Sequence, residues 1–272
     1  MTKSLTRSAD LEDRETSPIL TSRSGAVLTI TLHRPHRMNA LTTHLYRELV
    51  AALHSAERDP DVRAVVLTGS NGNFCSGADV EAGRSDHPLD RMRTANSVAS
   101  ALADFPKPII AKVDGYAVGA GWNIALLCDF VVASSTAKFS QIFARRGLSV
   151  DFGGSWLLPR LVGLQQAKRL VLLAETINAH EAFDLGLVTW IKETDEIDAF
   201  TQDLAERLAA GPPVALAQSK ALLAGASSST LREALDNEAR AVAVNFATDA
   251  PDAFKAFAEK RPPKFTGKWR IR

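Results

Sequence analysis

The chain has 272 residues, a length that suits one large domain. Its net charge is +1 with the histidines neutral, so it has no large excess of positive or negative charge that would indicate binding to nucleic acid or a membrane surface. Its apolar runs fall well short of the about 18 residues that a membrane span needs. Two cysteines, Cys75 and Cys128, are too few and too far apart for a disulfide framework or a metal site, which favours a reducing cytoplasm.

The chain divides into three predicted regions. Residues 1–18 mix charges of both signs, hold too many acids for a mitochondrial presequence and lack the apolar stretch of a secretory signal, so we predict a disordered arm. Residues 19–200 form the predicted core. Residues 201–272 are predicted to be a helical C-terminal region.

Strand and helix patterns alternate along the core. Residues 27–32 alternate as a half-buried strand does, and Leu45, Leu49 and Leu53 recur at helical spacing before Asp59-Pro60 ends the helix. The mostly apolar residues 62–68 are typical of a strand covered on both faces in a parallel sheet. Alternation of this kind predicts an α/β fold. Further helices are predicted at 89–105, 119–128, 165–174, 180–185, 197–210, 214–223 and 231–246, and further strands at 109–113, 130–133, 137–140 and 187–191.

Two glycine-containing loops, at residues 69–79 and 114–123, follow predicted strands. Ligands bind at the carboxyl ends of parallel strands, where glycine lets the backbone approach them, although glycines in tight turns alone would give the same pattern. The sequence contains neither GxxxxGK[ST] nor GxSxG, and the GxGxxG that starts at Gly119 has Ile124 in its last position. The histidines have no metal-ligand spacing. The loops therefore favour a ligand held by the backbone over a nucleotide, serine-hydrolase or metal site.

Several segments resemble the crotonase (enoyl-CoA hydratase/isomerase) superfamily. Residues 74–79 read FCSGAD, residues 106–121 read PKPIIAKVDGYAVGAG, residues 137–139 read AKF, and residues 147–160 read GLSVDFGGSWLLPR. The RPHRMNAL of residues 34–41 looks like the family's first CoA-side loop, and the RPPKF of residues 261–265 looks like its tail. The resemblance covers about residues 24–268. It implies a ClpP-like spiral of strand-strand-helix repeats with an α-helical C-terminal region that assembles trimers or hexamers.

The resemblance also implies an acyl-CoA substrate, with coenzyme A as part of it and no separate cofactor or metal. The backbone N–H groups of Ala78 and Ala120 match the oxyanion donors that stabilise an enolate. The remaining implied contacts with the substrate or its CoA are Arg37, Ala40, Ser76, Asp79 and Val80, the pocket walls Trp122 and Phe143, and the tail residues Lys260 and Lys264, which family members often supply from a neighbouring subunit. Asp79 is expected mainly to fix its own loop.

One departure from the family bears on the reaction. Hydratases of this superfamily use two glutamates, whereas the matching positions here hold Asn123 and Phe143, which exchange no proton at neutral pH. Asp151 resembles the single aspartate base of dienoyl-CoA isomerases and of the phenylacetate-type isomerases. Because one carboxyl can take a proton from one carbon and return it to another, we predict isomerisation of an unsaturated acyl-CoA.

Four other interpretations stay open. Asp151 also resembles the nucleophile of 4-chlorobenzoyl-CoA dehalogenases, so a dehalogenase or a thioester hydrolase is an alternative, although His87 is the only histidine nearby in sequence. A hydratase with a non-standard acid and base is a second alternative, and a CoA-binding subunit without catalysis is a third. In the fourth, Asp151 only stabilises a turn or caps a helix.

Overall fold

The structure, a computed structural model, describes residues 17–79 and 87–270. Most of the predicted N-terminal arm therefore lies outside the described residues, and so does Val80. Within the described ranges no helix is both long and apolar enough to cross a membrane.

Two sheets make up the β structure. The larger has the strand order β1-β2-β3-β4-β6-β9, in which β1 pairs antiparallel with β2 and the remaining pairs are parallel. The smaller has the order β5-β7-β8. The strands are β1 (Ile19–Ser24), β2 (Val27–Leu32), β3 (Ala64–Gly69), β4 (Ile109–Val113), β5 (Tyr116–Val118), β6 (Phe130–Ser134), β7 (Lys138–Ser140), β8 (Thr176–Asn178) and β9 (Trp190–Lys192). The parallel strands place their carboxyl ends on one side, where the loops that form the site begin.

The helices in the described residues are α1 (Thr43–Arg58), α2 (Pro88–Ala103), α3 (Ala120–Leu126), α4 (Gly154–Leu173), α5 (Ala179–Asp184), α6 (Ile197–Ala209), α7 (Pro213–Gly225), α8 (Leu231–Phe246) and α9 (Ala250–Ala258). Thr42 caps α1, because its hydroxyl accepts a hydrogen bond from the Leu45 N–H. The predicted apolar face of α1 is fully buried. This face covers one side of the larger sheet.

Helix α6 covers the other side of the same sheet. Ile197, Leu204 and Ala209 of α6 share a buried cluster with residues of β2, β3, β4 and β6. The helix also crosses the predicted boundary between residues 200 and 201. That division of the chain stays a prediction, although its first C-terminal helix packs directly on the core.

The structure corrects the predicted elements in several places. Strands β1, β5 and β8 and helix α9 were not predicted, and β9 begins three residues after the predicted start at 187. Helix α4 begins at Gly154 instead of 165 and continues past Pro159 to a kink at Gly163, where φ is 74°. Strands β5 and β8 have three residues each, and only the first residue of β1 is buried, so none of the three shows the alternation of a half-buried strand. Pro159 and Gly163 lie inside α4, although both residue types usually mark the end of a helix in a sequence.

Candidate active site

A cavity of about 650 Å³ lies among the segments that follow the carboxyl ends of β2, β3 and β4. This is the position expected for a ligand in a parallel sheet. It is lined by His36, Arg37, Met38, Ala40, Ser76, Gly77, Ala78, Asp79, Tyr116, Val118, Gly119, Ala120, Ile142, Phe143, Arg146 and Leu148. Both glycine-containing loops of the sequence contribute to it.

The first loop lies directly against β5. The Cys75 N–H donates to the Tyr116 carbonyl at 2.8 Å, and the Val118 N–H donates back to the Cys75 carbonyl at 2.9 Å. A Cβ atom at Gly77 would lie 2.9 Å from the Val118 carbonyl oxygen, and Gly77 has a φ of 93°. A Cβ atom at Gly121 would lie 2.7 Å from the Cys75 sulfur. Glycine at both positions therefore permits the close approach of the two loops.

Ala78 and Ala120 both line the cavity and both have a free backbone donor. Leu41 donates its N–H to the Gly77 carbonyl, and Asp79 donates its N–H to the Leu41 carbonyl. These bonds bypass the Ala78 N–H, which donates to no acceptor in the described part of the chain. Ala120 is the first residue of α3, so its N–H has no intrahelical acceptor. Two residues that line the cavity thus have backbone N–H groups without an acceptor among the described residues, and they are the two for which the resemblance implies oxyanion donors.

Asp79 is tied to the segment that follows β2. Its carboxylate lies 3.0 Å from the Arg34 guanidinium, and both side chains are buried. The same Arg34 nitrogen donates to the Ala40 carbonyl at 2.7 Å. A buried ion pair with a further hydrogen bond holds the loop that contains Asp79 against the segment that follows β2. This geometry agrees with the expected loop-fixing role of Asp79.

Asp151 lies beyond the lining residues of the cavity. Its backbone carbonyl accepts a hydrogen bond from the Asn123 amide at 2.8 Å. Asn123 lies on α3, one helical turn after Ala120. The carboxylate Oδ1 is buried and accepts no hydrogen bond among the described residues. Burial raises the pKa of Asp151 from 3.8 to about 6, against a smaller opposing effect of its own backbone N–H. A carboxyl with this pKa can both accept and return a proton near neutral pH.

Asp151 does not cap the helix that follows it. The N-cap of α4 is Gly153, and no side chain bonds to the first N–H groups of that helix. Capping therefore does not explain the aspartate. His87, the histidine considered for a dehalogenase, caps α2 by accepting the Leu89 N–H and does not line the cavity.

Tyr46 of α1 is the aromatic neighbour of Asp151. Its side chain is buried, and its ring lies 5.5 Å from the ring of Phe152. Burial raises the pKa of the Tyr46 phenol, and negative charge on Cys75 or Asp151 would raise it further. Burial also raises the pKa of the Cys75 thiol to about 12. Both groups are therefore neutral at pH 7, which leaves Asp151 as the charged member of the cluster.

The two positions that hold glutamate in hydratases are filled differently here. Asn123 is fully buried and accepts a hydrogen bond from the Gln141 amide at 2.9 Å. Phe143 is 5% exposed, lines the cavity and packs against Gly119. Gln141 was missed by the sequence reasoning, because a lone glutamine before a short helix gives no recognisable signal.

The structure brings most of the predicted contact residues together but not all of them. Arg37, Ala40 and Ser76 line the cavity with Phe143. Trp122 does not, which corrects its prediction as a pocket wall: it is fully buried in the core with its ring 5.3 Å from that of Phe139. Its place in the middle of the α3 motif could not reveal which face of that helix it occupies.

Lys260 and Lys264 are exposed and lie outside the cavity of this chain. Their contact with the substrate, which the resemblance often assigns to a neighbouring subunit, stays a prediction. In contrast, His36 and Arg146 line the cavity and are exposed, although neither is among the contact residues predicted from the sequence. Among the described residues no group of three or more His, Cys, Asp or Glu side chains is arranged to hold a metal ion.

Comparison with known proteins agrees with this geometry. The chain is 34% identical over 258 residues to the 1,2-epoxyphenylacetyl-CoA isomerase of Escherichia coli, across 92% of this chain and 98% of that protein. It is also 34% identical over 252 residues to a short-chain-enoyl-CoA hydratase of Clostridium acetobutylicum, across 91% and 97% of the two chains.

A crystal structure of an enoyl-CoA hydratase from Polaromonas superposes with a TM-score of 0.85 at 35% identity, covering 91% of this chain and 99% of the other. The predicted α/β crotonase fold is thereby confirmed. The family model described as enoyl-CoA hydratase/isomerase matches residues 22–268. The chain therefore belongs to the enoyl-CoA hydratase/isomerase family.

Proposed function

We propose that this chain moves the double bond of an unsaturated acyl-CoA through an enolate, with Asp151 as the sole proton carrier. The observation that supports the proposal most directly is the Asp151 carboxyl itself, which has a buried oxygen and a raised pKa and whose backbone is bonded to Asn123, together with the absence of a titratable side chain at Asn123 and Phe143. The Escherichia coli relative is named a 1,2-epoxyphenylacetyl-CoA isomerase, which supports isomerisation of an acyl-CoA but does not indicate a double-bond shift.

The proposed reaction uses two parts of the site. The Ala78 and Ala120 N–H groups receive the thioester oxygen as charge develops on it, and one such donor is worth about 3 kcal/mol to the transition state. The Asp151 carboxylate removes a proton from the carbon next to the thioester and forms a conjugated enolate. It then returns the proton two carbons further along. The double bond shifts while atoms and charge stay balanced, and water takes no part.

The pKa of Asp151 suits both steps. At about 6 the carboxyl is largely ionised at pH 7, so it can act as a base. An unshifted aspartic acid near 3.8 would be a much weaker base toward carbon. Proton transfer by a positioned carboxyl contributes roughly 10²–10⁴ in rate when its pKa lies near the working pH.

Assembly of several copies belongs to the same proposal. The last two helices expose large apolar side chains, with Leu231 77% and Phe257 85% exposed. Such surfaces usually mark an interface, and the occupant we propose is another copy of this chain, in a trimer or hexamer. A neighbouring copy would then supply Lys260 and Lys264 to the CoA phosphates. Light scattering on the purified protein tests this proposal, and a monomer at micromolar concentration would contradict it.

Hydration and hydrolysis are the competing reactions. The Clostridium relative is named a hydratase, and His36 is a second titratable side chain that lines the cavity of this chain. His36 is exposed, however, whereas one carboxylate oxygen of Asp151 is buried and so enclosed by protein. The enclosed group is better protected from water during proton transfer.

A mass-spectrometric turnover screen over straight, branched and aromatic unsaturated acyl-CoA esters tests the proposal. We expect at least one ester to give an isomer of unchanged mass. The Asp151→Asn variant should lose this turnover, while His36→Asn should keep exchanging the proton next to the thioester with heavy water. Wild-type turnover by Asp151→Asn on every ester that the parent isomerises would refute the proposal.

A further inference from the structure

The backbone carbonyl of Asp151 closes a tight turn over residues 151–154. It accepts hydrogen bonds from the Asn123 amide at 2.8 Å and from the Gly154 N–H at 2.9 Å. Between these anchors, Phe152 and Gly153 both adopt the left-handed region, with φ values of 50° and 76°. A left-handed phenylalanine is unfavourable by itself, so contacts around the turn must stabilise it.

The orientation of the Asn123 amide is determined by its partners. A carbonyl oxygen only accepts, so Asn123 must present its NH₂ group to Asp151. Its own oxygen then faces Gln141, which in turn must donate its NH₂ group, at 2.9 Å. Both side chains are fully buried. Gln141, Asn123 and Asp151 thus form one directed chain of hydrogen bonds in which each amide fixes the next.

Packing leaves the Asn123 amide little freedom. A Cβ atom at Gly154 would lie 2.5 Å from the Asn123 amide nitrogen, so this nitrogen rests directly on the first residue of α4. The Val150 side chain closes the same space, also at 2.5 Å from that Cβ position. Any movement of the amide would therefore move the start of α4 and the turn before it.

We propose that Asn123 is a positioning residue: held by Gln141, it fixes the Asp151 turn and so sets where the Asp151 carboxyl is held. This inference rests on the proposed role of Asp151 as the proton carrier. The position at which hydratases place an acid thus has a different use in this chain. Its side chain anchors the backbone of the one acid that remains.

The test compares Asn123→Leu, which keeps the shape of the side chain but removes both hydrogen bonds, with the wild-type protein. The substrate is the unsaturated acyl-CoA ester with the highest turnover in the screen. We expect kcat to fall about 10- to 100-fold and KM to change less than about twofold, since misplacement by about 1 Å costs this much in rate. Thr201→Val, which removes a buried hydroxyl without a partner in α6, is the matched control and should leave both constants unchanged.

The pH profile separates positioning from a general loss of structure. With the turn released, water reaches the Asp151 carboxyl, and the acid limb of kcat should move from near pH 6 toward the ordinary value of 3.8. Tyr46, the titratable group that interacts with this carboxyl, stays neutral over that range. If Asn123→Leu does not fold, Gln141→Met replaces it, because this variant removes the hydrogen bond that holds Asn123. The acid limb of kcat should then move in the same direction by a smaller amount.

A second readout keeps this inference distinct from the proposed function. Carbon NMR of labelled aspartate, with Asp151→Asn to assign the signal, measures the pKa of the Asp151 carboxyl without any turnover. Lowering of this pKa in Asn123→Leu supports the positioning role even if Asp151→Asn retains activity, which would refute the proposed function alone. The inference would be overturned if Asn123→Leu folds and its Asp151 carboxyl keeps the wild-type pKa. Where turnover depends on Asp151, a kcat within twofold of wild type would accompany that result.

Discussion

Replacing Asp151 by asparagine should stabilise the fold while it removes the activity. Burial raises the pKa of this carboxyl from 3.8 to about 6, a shift of about two units. At about 1.4 kcal/mol per unit, this shift corresponds to a cost of about 3 kcal/mol for the ionised form in the folded protein. Because the side chain is partly accessible, we expect Asp151→Asn to raise the free energy of unfolding by about 1–2 kcal/mol at pH 8.

The sign of this effect depends on pH. The native carboxyl binds its proton more tightly than the unfolded one, so the wild-type protein loses stability as the pH rises from about 4 to about 6. Asparagine has no proton to lose. The gain from Asp151→Asn should therefore be small near pH 4, where the native carboxyl is protonated and the unfolded one is only about half ionised, and complete above about pH 7.

Urea unfolding at about pH 4 and pH 8 measures both quantities. Asp203→Asn, on the exposed face of α6, is the control and should change stability by less than about 0.5 kcal/mol at either pH. Turnover of Asp151→Asn should be lower by roughly 10²–10⁴. A variant that is less stable than wild type at pH 8, or equally stabilised at both pH values, would refute the assigned burial of the charge.

Three further predictions concern the loops around the cavity. Gly121→Ala should lower the free energy of unfolding by about 1–3 kcal/mol and reduce turnover, since the new Cβ atom would lie 2.7 Å from Cys75; unchanged urea midpoint and kcat would contradict the close packing. Cys75 and Cys128 are buried thiols with raised pKa values, so a disulfide reagent should modify them at pH 8 only after unfolding, and rapid reaction of the native protein would be incompatible with this. Arg34→Met should lower the free energy of unfolding by about 3–5 kcal/mol, because it removes the buried ion pair with the Asp79 carboxylate. A melting temperature within a few degrees of wild type would contradict a stabilising role of this ion pair.

Periodic segments of the fold were predictable from the sequence. The alternation of residues 27–32 and the leucine spacing of α1 each reflect one buried face, and both elements occur where predicted. The three-residue strands β5 and β8 were not predictable, because pairing with β7 defines them and leaves no local pattern. The helix predicted at 165–174 instead begins at Gly154 and includes Pro159 and the kink at Gly163, two residues that usually interrupt a helix.

The candidate site was predictable where the backbone carries the chemistry. Glycines in two loops after strands predicted a ligand held by the backbone, and the structure places residues of both loops, Ala78 and Ala120 among them, along one cavity. The environment of Asp151 was not predictable from its motif. Its raised pKa and its anchor on Asn123 depend on contacts between residues far apart in the chain.

Turnover in water enriched in heavy oxygen tests the proposed reaction most directly. Isomerisation makes no bond to a water oxygen, so an unsaturated acyl-CoA ester should give a conjugated isomer of unchanged mass without label. Hydration would instead place the label in a hydroxyacyl-CoA product, and thioester hydrolysis would place it in the free acid. An unlabelled isomer that disappears with Asp151→Asn is the expected result, and labelled product at the wild-type rate would contradict isomerisation by a single carboxyl.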